Sequence, residues 1–354
     1  MTEQLARAVP LSTAQIAEAI EELIAESVPV EGKAEFLAAL STKGETPAEI
    51  ADFARELRAR SIVPPLSAKT RAGEILDVCG TGGDRLNTFN ISTTVALIAA
   101  AAGIAVAKHG NRAITSQSGS ADVLEELGVR IDLDPEAAAA ALDRHHFAFF
   151  FAPRYHPAFR HIGPARKLCA ERGQRTIFNF LGPLLNPVRP TAQLIGVPNP
   201  DLCKPMAQVL QSLGARRGMV VSGRALPGAC APSSGVPISG WLDEISTLGE
   251  TTIAEFYQDR GFNVSVLGLE GFPIQAATLA DLTGGDRATN AAIVRAILRG
   301  EDRGPRRDAV LLNAAAALFV GGKSRTLSDG WDLAAQLIDA GSAQAKLREL
   351  SDAA

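Results

Sequence analysis

"EILDVCGTGGDRLNTFNISTTVALIAAAAG", Glu74 to Gly103, decides the fold. Its first residues, "EILDV", are a short apolar strand, and its last, "TVALIAAAAG", are an alanine-rich helix. The glycines between them therefore sit at a strand-to-helix turn, where the first helical amides are free to bind an anion. Gly80, Gly82 and Gly83 let the backbone take positive φ and approach a ligand closely. Asn87, Thr88, Asn90, Ser92 and Thr93 add side-chain donors around the same turn. A helix cap needs one such group, so this many predict a cradled phosphate or pyrophosphate. No G-K-[ST] follows and the spacing is not G-x-G-x-x-G, which excludes the Walker loop and the dinucleotide fingerprint.

Working outward, further apolar runs read as strands: "GIAVAK" (103–108), "FAFFFA" (147–152), "AQLIGV" (192–197) and "RGMVVSG" (217–223). Helical segments separate most of them, which predicts an α/β domain with a mostly parallel sheet surrounded by helices. Ligands of such sheets lie beyond the carboxyl ends of the strands, where both the glycine turn and "KHGNR" (108–112) fall. The first 60 or so residues read as helices only. Ser12 with Gln15 and Thr46 with Glu49 form capping boxes, and Ile16, Ile20, Leu23 and Ile24 share one face. The expected division is a small helical domain over 1–70 and a larger α/β domain over 71–354, joined by a proline-bearing linker, "SIVPPLSAKTRAG". Gly223 to Gly240 reads as a long loop.

The whole composition agrees with a soluble globular protein. Of 354 residues, 46% are apolar and 21% charged, and the net charge of -4 gives no basic footprint for nucleic acid or a membrane surface. No apolar run is long enough to span a bilayer, and the N-terminus lacks a signal-like core. Cys79, Cys169, Cys203 and Cys230 are widely spaced, as suits free thiols in a reducing cytoplasm.

Four further motifs carry chemistry. "KHGNR" groups Lys108, His109, Asn111 and Arg112 in one loop, able to meet a polyanion and orient a planar second substrate. "SGSADVLEELG" opens another helix beside it at Ser120. "WLDEIST" holds Asp243 and Glu244; adjacent carboxylates diverge, so they usually mark a surface turn, or serve separate magnesium ions that keep several waters. In "YHPAFRHIGPARK" the guanidinium of Arg166, on a helix after Pro157, suits a carboxylate. The histidines are scattered along the chain in no metal-binding pattern, and there is no G-x-S-x-G elbow, so no covalent nucleophile is visible.

Taken jointly, the glycine turn, "KHGNR", "SGSADVLEELG", "RTIFNFLGPLLNP" (175–187), "LDEIS" (242–246), "GGDRATNAAIVRAILRG" and "RDAVLLNAAAAL" closely resemble the anthranilate phosphoribosyltransferase family, from about residue 10 to the C-terminus. The resemblance implies transfer of a phosphoribosyl group from phosphoribosyl pyrophosphate to the amine of anthranilate, in tryptophan biosynthesis, with Mg2+, two ions per site, and a homodimer joined through the helical part. It implies that Gly80, Gly83, Asp84, Thr88, Asn90, Ile91, Ser92, Thr93, Lys108 and Ser120 contact phosphoribosyl pyrophosphate. Anthranilate is expected at Gly80, Asn111 and Arg166, and the metals at Ser92, Asp243 and Glu244.

The chain departs from the family pattern in three places. The segment before "LDEIS" is longer and lacks the family's histidine; "RKLCAERGQRTIF" is about three residues longer, making Arg172 a rival of Arg166; and Gln117 replaces a common basic residue. Two other readings remain in view: a pyrimidine nucleoside phosphorylase of the same fold, and a nucleic-acid-binding relative without the transferase reaction. "KHGNR" with "LDEIS" argues against the first, and the acidic charge and intact motifs against the second.

Overall fold

β-Branched, aromatic and other apolar residues fill each segment read as a strand, and a computed structural model pairs all of them in one sheet. It describes residues 1–112, 117–225, 240–258 and 261–353. The strands are β1 (Ile75–Gly80), β2 (Ala105–Gly110), β3 (Phe147–Phe151), β4 (Ala192–Gly196), β5 (Arg217–Arg224), β6 (Trp241–Leu242), β7 (Thr251–Tyr257) and β8 (Phe262–Leu267). The order is β3-β2-β1-β4-β5-β7-β8, with β6 beside β5. From β3 to β5 all neighbours run parallel, whereas β6, β7 and β8 are antiparallel additions. The antiparallel strands were not expected. β8 leaves Val264 and Val266 largely exposed, so its burial pattern is not that of a core strand.

The N-terminal helices are α1 (Thr2–Ala6), α2 (Thr13–Ile24), α3 (Val30–Lys43) and α4 (Pro47–Ala59), followed by a short α5 (Ala68–Ala72). Both expected capping boxes form, on Ser12 and Thr46. α5 lies inside the stretch read as a linker, because Ser67 caps it through the Thr70 amide. Between the strands run α6 (Ile91–Ala101), α7 (Ser120–Glu126), α8 (Pro135–His145), α9 (Ala152–Tyr155), α10 (Phe159–Glu171), α11 (Phe178–Leu181) and α12 (Cys203–Ser212). The chain ends in α13 (Arg287–Leu298), α14 (Pro305–Val320), α15 (Leu327–Asp339) and α16 (Ser342–Asp352).

The pleat divides the core. Leu76, Val78 and Val106 face α6 and the C-terminal helices, among which α14 is buried along nearly its whole length. On the other side, Ile195, Val220 and Phe256 pack with α10, α12 and the N-terminal helices. Gly223 and Arg224, read as the start of the long loop, belong to β5, and the 226–239 stretch lies outside the described residues.

Candidate active site

The glycine turn follows the carboxyl end of β1, and α6 begins at its far side, with Asn90 at the N-cap position but without a side-chain cap hydrogen bond. The Ile91 amide turns back to the Phe89 carbonyl at 2.7 Å, and the Ser92 amide donates to the Glu244 carboxylate, which ties the start of α6 to the acidic pair. Arg85 and Asn87 take positive φ, 60° and 54°, and thus hold strained backbone within the turn. Asn90 Oδ1 accepts from Asn290 Nδ2 at 2.9 Å, and Asn290 Oδ1 in turn accepts from the Gly285 amide. Asn290 is a support that sequence reading missed as a site element; its motif stood in view, but its partner is 200 residues away.

Asp243 and Glu244 do not form the surface turn that the dipeptide alone suggests; they are 7% and 9% exposed. Their backbone crosses the carboxyl ends of β1, β4 and β5, and glycines make the room. A Cβ on Gly80 would sit 2.5 Å from Asp243 Oδ2, one on Gly223 2.5 Å from the Glu244 carbonyl oxygen, and one on Gly196 would overlap the Asp243 carbonyl. Asp243 Oδ2 accepts the Gly82 amide at 2.6 Å, and Asp84 Oδ1 accepts from Leu86.

Burial, then the neighbouring Asp84 and Glu244 charges, drives the Asp243 pKa well above the ordinary carboxylate range. Burial likewise raises Glu244 to about 8, against the opposing pull of Lys108. Carboxylates that burial pushes toward neutrality would regain their charge beside a cation, and the Ser92 amide donates to Glu244. Among the described residues, no trio of His, Cys, Asp or Glu converges to hold an ion unaided. The donor set therefore fits magnesium completed by substrate phosphates and water. The Thr81 and Thr93 hydroxyls, buried here without partners, are further groups for a polar ligand.

Lys108 is buried on the α6 side, donating to the Val78 carbonyl at 2.7 Å and to Ser92 Oγ at 3.4 Å. Burial lowers its pKa; Asp77 is the first of the charges that oppose this. The next residue, His109, points through the other face of the sheet. There its Nε2 lies 3.2 Å from His156 Nε2. His156 stacks on Phe159, Phe159 meets Phe178 edge-on, and the Arg166 guanidinium lies 4.9 Å over the Phe178 ring. Burial depresses His109 to about 3 and His156 to about 4, so both are neutral. The pairing of two histidines 47 residues apart was invisible in sequence.

Arg166 is half-buried on the inward side of α10 and its pKa is lowered by burial, whereas Arg172 is exposed at the helix end. Asn111 is exposed after β2, its Oδ1 accepting the Arg112 amide at 2.8 Å. Arg112 pairs with Glu125 and Asp122 and so fastens this loop to α7. Ser120 opens α7 against Gly110, where a Cβ would come 2.5 Å from Ser120 Oγ. Gln117 is exposed. Thr88 bridges to Thr283 and Gly83 packs against Pro198. The structure thus gathers a side of backbone amides, hydroxyls and buried carboxylates and an aromatic side that carries Arg166 around the ends of β1 and β2.

The sequence pattern of the glycosyl transferase family a/b domain matches residues 72–344, and that of its helical bundle domain matches residues 1–61. An anthranilate phosphoribosyltransferase of Roseiflexus castenholzii is 46% identical over 352 residues, covering 98% of this chain and 95% of its own. Among solved structures, anthranilate phosphoribosyltransferase from Thermus thermophilus superposes with a TM-score of 0.85 at 38% identity, covering 99% of this chain and 98% of that one. The Saccharomyces cerevisiae enzyme in complex with PRPP and Mg superposes at 0.83 with 26% identity, covering 99% and 96%.

Proposed function

This chain belongs to the anthranilate phosphoribosyltransferases of the glycosyl transferase family, and we infer from that premise that it transfers the phosphoribosyl group of phosphoribosyl pyrophosphate to the amine of anthranilate. The products are N-(5-phosphoribosyl)anthranilate and pyrophosphate, and the reaction is a step of tryptophan biosynthesis. The observation that carries the reading is the buried Asp243–Glu244 pair closed over the glycine turn. The phosphorylase and nucleic-acid readings have no observation in their favour.

The pyrophosphate of the donor lies on the turn and the start of α6, against Gly80, Gly83, Asp84, Thr88, Asn90, Ile91, Ser92 and Thr93, with Lys108 and Ser120 completing the cradle. Oriented amides there stabilise charge that grows on the leaving group as the bond from ribose C1 breaks. Magnesium, when bound, neutralises the same charge. Ser92, Asp243 and Glu244 hold it, and two ions per site let the diverging carboxylates serve separate partners. Arg166 takes the anthranilate carboxylate and Asn111 and Gly80 border its ring. The aromatic amine is neutral near pH 7, so no strong base is needed and alignment of the two substrates supplies much of the rate. Burial keeps His109 and His156 neutral on that side.

The helical domain, residues 1–70, pairs with a second copy, leaving residues 71–354 as the substrate-binding domain. Val9, Ile62 and Val63, apolar and 42–50% exposed, support this face as the homodimer contact. A cytoplasmic location accords with the free Cys79, Cys169 and Cys203, and no helix among the described residues is long and apolar enough to cross a membrane.

The test follows anthranilate fluorescence with purified protein, phosphoribosyl pyrophosphate and magnesium, recording pyrophosphate in parallel. Fluorescence loss that needs all three, with equimolar pyrophosphate, is expected. Donor binding without fluorescence loss would mean a different acceptor.

A further inference from the structure

A cleft of about 310 Å3 lies between α8, the start of β3 and the C-terminal helix α16. Phe147 opens β3, whereas Gly110 and Phe151, beside the catalytic loops, pair at its other end. The cleft is thus at the end of these strands remote from the site described above. Its wall is apolar, formed by Leu133, Ala137, Ala141, Phe147 and Leu350, and Arg130 and Arg144 also line it. A second, smaller cleft on the same helix adds Arg295, Arg299 and Arg348. Neither wall contains an aspartate or glutamate, in a chain whose net charge is -4.

Arg130 and Arg144 are exposed, and among the described residues neither has an ion-pair partner. β3 is an edge strand, paired only with β2. The Val106 amide donates to the His146 carbonyl, so the alternation of a parallel ladder turns the amide and carbonyl groups of Phe147 and Phe149 away from β2, toward the cleft side. Apolar walls and two exposed guanidiniums without ion-pair partners make a cleft that offers both a nonpolar surface and positive charge.

We propose that this cleft binds a small apolar carboxylate, at a site separate from the acceptor position at Arg166. The carboxylate meets the guanidiniums of Arg130 and Arg144, whose fork geometry matches it. The apolar body rests on the alanine face of α8, at Ala137, Ala140 and Ala141. A phosphate would leave that face uncovered, and a volume at the small end of ligand pockets excludes a larger occupant. Because α16 packs on α6, the occupant touches a helix that leads directly to the donor site.

The experiment is calorimetric titration of the full-length protein with 3-phenylpropionate and with its neutral amide. Wild type should bind one equivalent of the acid, with the amide at least tenfold weaker. Arg144→Ala should weaken the acid at least tenfold while leaving anthranilate turnover unchanged, and Ala141→Trp, which fills the cleft, should abolish binding. Arg166→Ala should leave the titration unchanged. Equal affinity for wild type and Arg144→Ala, loss of binding in Arg166→Ala alone, or no binding at all would overturn the proposal.

Discussion

The Gly82 amide donates to Asp243 Oδ2 at 2.6 Å, joining the glycine turn to an acidic pair 161 residues further along the chain. One contact thereby fixes where the glycine turn and the acidic pair meet. It exists because Gly80 and Gly196, paired side by side at the ends of β1 and β4, leave no Cβ in the path of Asp243.

Gly196→Ala should therefore damage the site without touching a substrate-contacting residue. Its Cβ would overlap the Asp243 carbonyl, and relief requires moving the segment that carries both carboxylates. Overpacking of this kind costs about 1–3 kcal/mol. Urea unfolding should show that loss together with a kcat/KM reduction of about 100-fold or more, since small misplacements are costly in catalysis. Wild-type turnover in a destabilised protein would contradict the role given to this glycine.

Glu244→Gln should stabilise the magnesium-free protein while impairing its turnover. The folded pKa of Glu244, about 8, lies above the ordinary value of 4.5. Its contribution is then fully present below about pH 4.5 and is lost as pH rises through about 8. At pH 8 the variant should be more stable by on the order of 1 kcal/mol or more, a difference that saturating magnesium removes. Melting curves at pH 5 and pH 8, with and without magnesium, measure it. Asp243→Asn should behave alike, because burial and its charged neighbours raise Asp243 as well.

The histidine pair sets the opposite trend on the acid side. His156, lowered to about 4 from 6.5, contributes stability that is present above pH 6.5 and lost as pH falls through about 4. The full loss is on the order of 3 kcal/mol. His156→Phe keeps a ring to stack on Phe159 and should flatten stability between pH 6.5 and 4; an unchanged acid midpoint would count against the buried neutral imidazole.

Arg166→Ala should raise the KM for anthranilate at least tenfold and change that for phosphoribosyl pyrophosphate less than twofold, because a charge-assisted pair with a carboxylate is worth about 1.5–3 kcal/mol. Arg172→Ala, at an exposed helix end, should leave both within twofold. Steady-state kinetics varying each substrate in turn separates the two arginines, and equal rises for both substrates in Arg166→Ala would remove its assignment.

Local signals were legible in proportion to how local their causes are. The parallel strands from β1 to β5 could be placed from apolar runs, and both capping boxes from four-residue spacings. β7 and β8 were missed although β8 alternates Phe262, Val264 and Val266 with polar residues; that apolar row faces outward at Val264 and Val266 instead of marking the core. α5 was hidden behind Pro64 and Pro65, although Ser67 was its cap all along. Asp243 and Glu244 were found by resemblance, yet a dipeptide says nothing of its own burial.

What the sequence determined by itself was the α/β frame, the strand-to-helix glycine turn and the family, because periodicity, capping and motif spacing act within one element or in a fixed order along the chain. What only the tertiary structure decided was which side chains meet. It put Asp243 over Gly82, Asn290 on Asn90 and His156 against His109, across 161, 200 and 47 residues. It also sent Lys108 and His109 to opposite faces of the sheet. Those relations depend on strand order, on pleat and on the space left by absent Cβ atoms, and each of these exists only once the chain has packed.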